Sequence, residues 1–103
     1  MLPYTFYKTS EFNDWLDSLP IKSRKQLLNR LSKIEDSNYF GTHKYLESEG
    51  LWELKFNDGN RIYYIIVSKL KIILLLGGNK NGQDKDIRQA SNILRKIIQN
   101  GFR

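Results

Sequence analysis

The run LWELKFNDGNRIYYIIVSKLKIILLLGG, residues 51–78, decides the fold. Trp52, Leu54 and Phe56 alternate with Glu53 and Lys55, the period of a strand with one buried face. Asn57-Asp58-Gly59-Asn60 is a hairpin turn, because Asp and Gly tolerate the positive φ such turns need. Arg61 to Val67 and Lys71 to Leu76 are apolar on both faces, as central strands are, and a tight turn near Lys69-Leu70 joins them. Gly77-Gly78 is expected to end the sheet run.

Outward from this meander the period changes to that of helices. Upstream, Tyr4 to Thr9 alternates as a short strand, and Ser10 is placed to cap a helix carrying Phe12, Trp15, Leu16 and Leu19 until Pro20 closes it. A second helix spans Lys22 to Asp36, with Leu27, Leu28, Leu31 and Ile34 as its apolar stripe and Lys25, Asn29 and Lys33 in solvent. Ser37 to Gly41 breaks it. Downstream, a last helix covers Asp84 to Asn100. Ile87, Ala90, Leu94, Ile97 and Ile98 face inward, Asp84 and Asp86 lie at its positive end, and Gly101 stops it. The order is β-α-α-β-β-β-α, an α+β domain in which helices pack on a small, antiparallel-rich sheet, and residues 1–103 form one such domain.

Composition narrows the chemistry. The chain has 40% apolar and 27% charged residues, which suits a folded core rather than disorder. With no cysteine and one histidine, His43, thiolate zinc sites, histidine-built metal sites and a cysteine nucleophile are excluded, and no metal or cofactor is expected. His43 reads as a solvated loop side chain. No apolar run approaches the roughly 20 residues of a membrane helix, Ile72 to Leu76 being strand-sized. Met1 to Ser10 lacks the pattern of a signal peptide, and the expectation is a soluble cytoplasmic protein without membrane contact. The net charge of +6 is uneven. Residues 1–53 hold seven Lys/Arg and eight Asp/Glu, whereas residues 54–103 hold ten and three, an electrostatic footprint for a polyanion.

Turn geometry brings part of that charge together. A first turn centred on Asp58-Gly59 sets Phe56 opposite Arg61 and Leu54 opposite Tyr63; a second centred on Lys69-Leu70 sets Arg61 opposite Gly78. Lys80 is two residues further on, so Arg61 and Lys80 are expected on one face at one end of the sheet, beside glycines that leave room for a phosphate. The same register puts Lys55 on the other face. Glu53 reads as an exposed strand carboxylate paired to lysine, and Tyr63, Tyr64, Trp15 and Trp52 as core. The Gly77 to Gly82 run lacks the Gly-Lys-Ser/Thr ending and the parallel context of a nucleotide-binding loop.

These residues resemble a known family. Gly41 followed by Lys44, Leu51-Trp52-Glu53-Leu54-Lys55, Gly59-Asn60-Arg61-Ile62-Tyr63-Tyr64, Leu74 to Lys80 and Gln83 to Ile87 with Ala90 look like the HigB-like "addiction module killer" branch of the RelE/ParE superfamily, toxins of type II toxin–antitoxin modules. The most specific stretch is Gly-Gly-x-Lys-x-x-Gln-x-x-Asp-Ile, Gly77 to Ile87. The resemblance implies a RelE-like β-α-α-β-β-β-α fold and a cytoplasmic toxin that cleaves messenger RNA, usually in the ribosomal decoding site. It also implies a neighbouring antitoxin, often a helix-turn-helix protein. Arg61 matches the family's strand arginine and Lys80 the lysine after Gly-Gly, giving these two the catalytic roles, with Lys55, Lys44 and Arg88 guiding the RNA backbone. Lys80 is also a candidate acid or base, and no residue stands out as a clear general base. Glu53-Leu54-Lys55 replaces the family's Glu-Leu-Arg, the turn before Arg61 is about two residues shorter, and Asn79 stands where aspartate is common. The alternatives are a ParE-like inhibitor of DNA gyrase without nuclease activity, and an inactive relative kept as a partner-binding module.

Overall fold

A computed structural model describes residues 4–68 and 71–101. The chain runs through β1 (Thr5–Lys8), α1 (Ser10–Ser18), α2 (Ile21–Ser37), β2 (His43–Leu46), β3 (Leu51–Lys55), β4 (Asn60–Ser68), β5 (Lys71–Asn79), a single 3-10 turn (Lys80–Gly82) and α3 (Gln83–Asn100). The strands form one sheet in the order β1-β5-β4-β3-β2, antiparallel except where β1 runs parallel to β5. This is the expected α+β plan with one strand more. β2 pairs with β3 through His43↔Leu54 to Leu46↔Leu51, so His43 belongs to an edge strand and not to a loop. Four residues, HKYL, carry too little apolar alternation to announce a strand; pairing to β3 makes them one.

The two faces are covered separately. Phe12 and Leu16 of α1 and Leu27, Leu31 and Ile34 of α2 bury against Leu54, Ile62, Tyr64, Ile72 and Leu74. On the opposite face Ala90 and Ile93 of α3 bury against Leu51, Tyr63, Ile65, Leu75 and Leu76. β3 therefore has both faces covered instead of one. Leu28 and Ile98, expected to face inward, stay exposed, whereas Ile93 is buried. The cap of α1 is Thr9 rather than Ser10: its Oγ1 accepts the Phe12 N–H at 3.0 Å and donates to the Leu75 carbonyl at 2.7 Å, tying the helix start to β5.

Register is where the expectation and the structure part. Lys55 pairs with Arg61, Leu54 with Ile62 and Glu53 with Tyr63, one residue away from the expected pairing. The turn is held by Gly59 at φ 93° and by the Asp58 carboxylate, which accepts the Asn60 N–H at 3.1 Å. Across β4 and β5, Arg61 does face Gly78, as expected. A bulge follows, because Tyr63 pairs with Leu76 and Tyr64 with Leu74; Leu75 is the extra residue. The expected turn at Lys69-Leu70 lies outside the described residues. β5 also continues through both glycines to Asn79 rather than stopping before them.

Candidate functional site

The corrected register puts Lys55 on the same side of the sheet as Arg61, since directly opposed residues share a face. Two rows result on the α3 side: Lys44–Glu53–Tyr63–Leu76 and, next to it, Lys55–Arg61–Gly78. The Arg61 side chain is half-buried. Its Nη1 donates to the Asn60 carbonyl at 3.1 Å, its Nε is buried without a partner, and among the described residues no carboxylate lies within 4.0 Å of it. A guanidinium left with free donors in a partly dry place is suited to a phosphate.

The neighbouring row holds a buried acid. Glu53 is 1% exposed, not the exposed carboxylate expected from its strand position. Its Oε2 accepts from Gln83 Nε2 at 2.5 Å, and its Oε1 sits 3.9 Å from Lys55 Nζ. The carboxylate thereby pins the first turn of α3 to β3. Tyr63 is fully buried, with its hydroxyl facing Glu53 but outside hydrogen-bond geometry among the described residues. Burial first, then the negative charges of Glu53 and Asp86, push its phenol well above its ordinary value, and it stays neutral.

The glycine pair is filled rather than open. A Cβ on Gly77 would fall 1.9 Å from the Trp15 ring, and one on Gly78 would fall 2.0 Å from Asp86 Oδ2. Both glycines are buried, so the expected phosphate seat between them is taken by an indole on one face and a carboxylate on the other. Asp86 thus lies over the residue that pairs with Arg61. Burial raises its carboxyl above the ordinary range, with the Asn79 backbone N–H and Lys85 opposing.

The remaining expected residues divide. Lys80 emerges at the same sheet end as Arg61, its N–H donating to the Gly59 carbonyl at 2.9 Å and its stem beside the hairpin tip. It lines a shallow exposed groove with Gln83, Asp84, Lys85 and Arg88, a groove that Arg61 does not line. Lys55 thus lies directly across from Arg61, while Lys80 shares its groove with Arg88. Lys44 is exposed on edge strand β2, in the row of Glu53 and Tyr63.

Arg30, unremarked in the sequence, organises the strand end that carries Lys55. Its guanidinium donates to the carbonyls of Phe40 (3.0 Å), Thr42 (2.6 Å) and Lys55, and lies 4.6 Å from the Phe56 ring centroid. Gly41, at φ 71°, passes so close that a Cβ would come within 3.1 Å of that guanidinium. A cation in the middle of an amphipathic helix gives no sign of such a role; Gly41 is the one trace of it in the sequence.

The family model for "Phage derived protein Gp49-like (DUF891)" matches residues 14–97. An uncharacterized protein of Haemophilus influenzae is 32% identical over 92 residues, covering 86% of this chain and 91% of that one. Among solved structures, an arginine-to-alanine double mutant of the Escherichia coli toxin RelE in the free state superposes with a TM-score of 0.64 at 15% identity, covering 93% of this chain and 99% of that one. The toxin–antitoxin complex RelBE2 of Mycobacterium tuberculosis gives 0.60 at 17% identity, over 76% and 99%. The isolated E. coli RelE toxin gives 0.60 at 19% identity, over 74% and 83%. The fold is RelE-like. Among the described residues no helix is long and apolar enough to cross a membrane.

Proposed function

The chain belongs to the phage-derived Gp49-like family, and from that premise we propose that it is the toxin of a type II toxin–antitoxin pair, of the HigB-like branch, cutting messenger RNA on the ribosome without a metal. The observation that carries this reading is Arg61: half-buried, with no carboxylate within 4.0 Å among the described residues and with Lys55 directly across on the same face. The RelE-like fold and the excess of cations in residues 54–103 support it.

RNA supplies its own nucleophile. The 2′-hydroxyl attacks the adjacent phosphorus, its proton passes to a base, and the 5′-oxygen leaves with a proton, giving a 2′,3′-cyclic phosphate and a free 5′-hydroxyl. Arg61 binds the phosphate and stabilises the charge that builds on it, a contribution of about 2.7–4 kcal/mol for one positioned donor. Asp86, which lies over the Gly78 that pairs with Arg61, takes the base role that the sequence left empty. Lys80, on a flexible stem at the same sheet end, gives a second cation and the proton for the leaving oxygen. Lys55, Lys44 and Arg88 guide the strand. The antitoxin is a helix-turn-helix protein encoded alongside, whose acidic segment covers the cation face in the cytoplasm.

Induction of the chain in bacteria followed by primer extension on cellular transcripts tests the reading. Discrete cuts aligned to codons, relieved when the neighbouring gene is co-expressed, are expected. Intact messages with damaged DNA would overturn it in favour of gyrase inhibition, and growth unaffected by a soluble folded product would point to an inactive relative.

A further inference from the structure

A groove of about 390 Å³ opens where β3 ends and the segment between α2 and β2 passes beneath it, lined by Gln26, Tyr39, Gly41, Thr42, Lys55 and Asn57 over a floor of Arg30 and Phe56. We propose that this groove, on the α2 side of the sheet, is a nucleobase subsite: an RNA strand held at Arg61 and Lys55 passes around the end of β3, and one of its bases stacks on Tyr39 and presents its edge to Gln26 and Asn57. The inference rests on the RNA-cleaving reading and extends it to a place that the cation face does not reach.

Three features point this way. Tyr39 is 63% exposed although it is a large aromatic, and it directly follows the left-handed Asn38 (φ 57°) that ends α2. An aromatic ring held out beside a cationic strand end is the arrangement that stacks unpaired bases. Gln26 and Asn57 are exposed amides, each able to donate and accept, which suits a base edge; no carboxylate lines the groove. Finally, the floor is already committed. The Arg30 guanidinium gives three of its five N–H donors to the carbonyls of Phe40, Thr42 and Lys55, which hold it in place as the floor, and Gly41 adds no side chain to fill the groove. Continuity comes from Lys55, which borders the groove and pairs with Arg61 on the cation face.

The test uses the full chain and a fluorescein-labelled 2′-O-methyl RNA ten-mer of mixed sequence, which binds but cannot be cut, with affinity read by anisotropy across a salt series. Tyr39→Ala is expected to weaken binding roughly fivefold or more, with the salt slope unchanged because no phosphate contact is lost. Tyr39→Phe, which keeps the ring, should stay within about twofold of the parent. The exposure of Tyr39 lets both variants fold, checked by circular dichroism. Parent binding with Tyr39→Ala within about twofold of it overturns the subsite and leaves the cation face standing. The same outcome joined to weaker co-purification with the neighbouring protein overturns it in favour of a protein dock. A parent chain that does not bind the probe overturns the subsite alone, because the cleavage reading is tested separately on ribosomes.

Discussion

Gly77→Ala tests the packing that positions the site. The added Cβ would sit 1.9 Å from Trp15 Cε3, 2.2 Å from Cδ2 and 2.3 Å from Cζ3. Carbon atoms in contact sit about 3.5–4.0 Å apart, so the indole must retreat by roughly 1.5–2 Å. Its retreat is blocked on one side by Phe12, whose ring is fully buried and 5.9 Å away between centroids. Overpacking of this kind costs about 1–3 kcal/mol. Alanine recovers about 0.4–1 kcal/mol by restricting the unfolded chain. The net expectation is about 1–2 kcal/mol of destabilisation, or a fall in Tm on the order of 5–15 °C for a chain this short. Urea unfolding followed by circular dichroism measures it. The decisive comparison is Trp15→Leu: with the ring removed, Gly77→Ala should cost little or nothing, a coupling of about 1–2 kcal/mol. A Gly77→Ala chain as stable as the parent, or one whose cost is undiminished beside Trp15→Leu, would refute the reasoning.

Arg30→Ala takes donors from three backbone carbonyls, one of them open to solvent, and should cost about 2–4 kcal/mol; Arg30→Lys should restore less than half, and a loss below about 1 kcal/mol in urea melts would contradict the clamp. For Asp86, burial holds the folded carboxyl above its ordinary 3.8, so just above that pH the folded chain keeps a proton that the unfolded chain has lost. Stability therefore falls as pH rises through the interval between the two values, and Asp86→Asn should flatten that decline; superimposable stability profiles would contradict it.

How much of this the sequence carried depends on which physical signal each residue leaves. The strands from Leu51 to Leu76 and all three helices announce themselves by period, and the turn at Asp58-Gly59 by its chemistry. The pairing across that turn was off by one residue, because a turn's identity does not fix which flanking residues pair. That single step separates Lys55 on the far face from Lys55 beside Arg61. Alternation with Trp52 and Leu54 implies a wet face for Glu53; its burial comes from α3, whose Gln83, thirty residues further along, reaches back to it. The glycine pair looked like open space because a missing side chain says nothing about what fills the gap, here Trp15 and Asp86. Arg61 does face Gly78 as expected, but only because two register shifts, at Ile66/Ser68 and Tyr63/Tyr64, offset one another.

Single-turnover cleavage of a defined message on purified ribosomes, comparing the parent with Arg61→Ala, puts the role of the Arg61 guanidinium to the most direct test. Cleavage slowed by roughly 10²–10³-fold is expected, in a variant whose melting temperature matches the parent's. A variant that cuts as fast as the parent would contradict it.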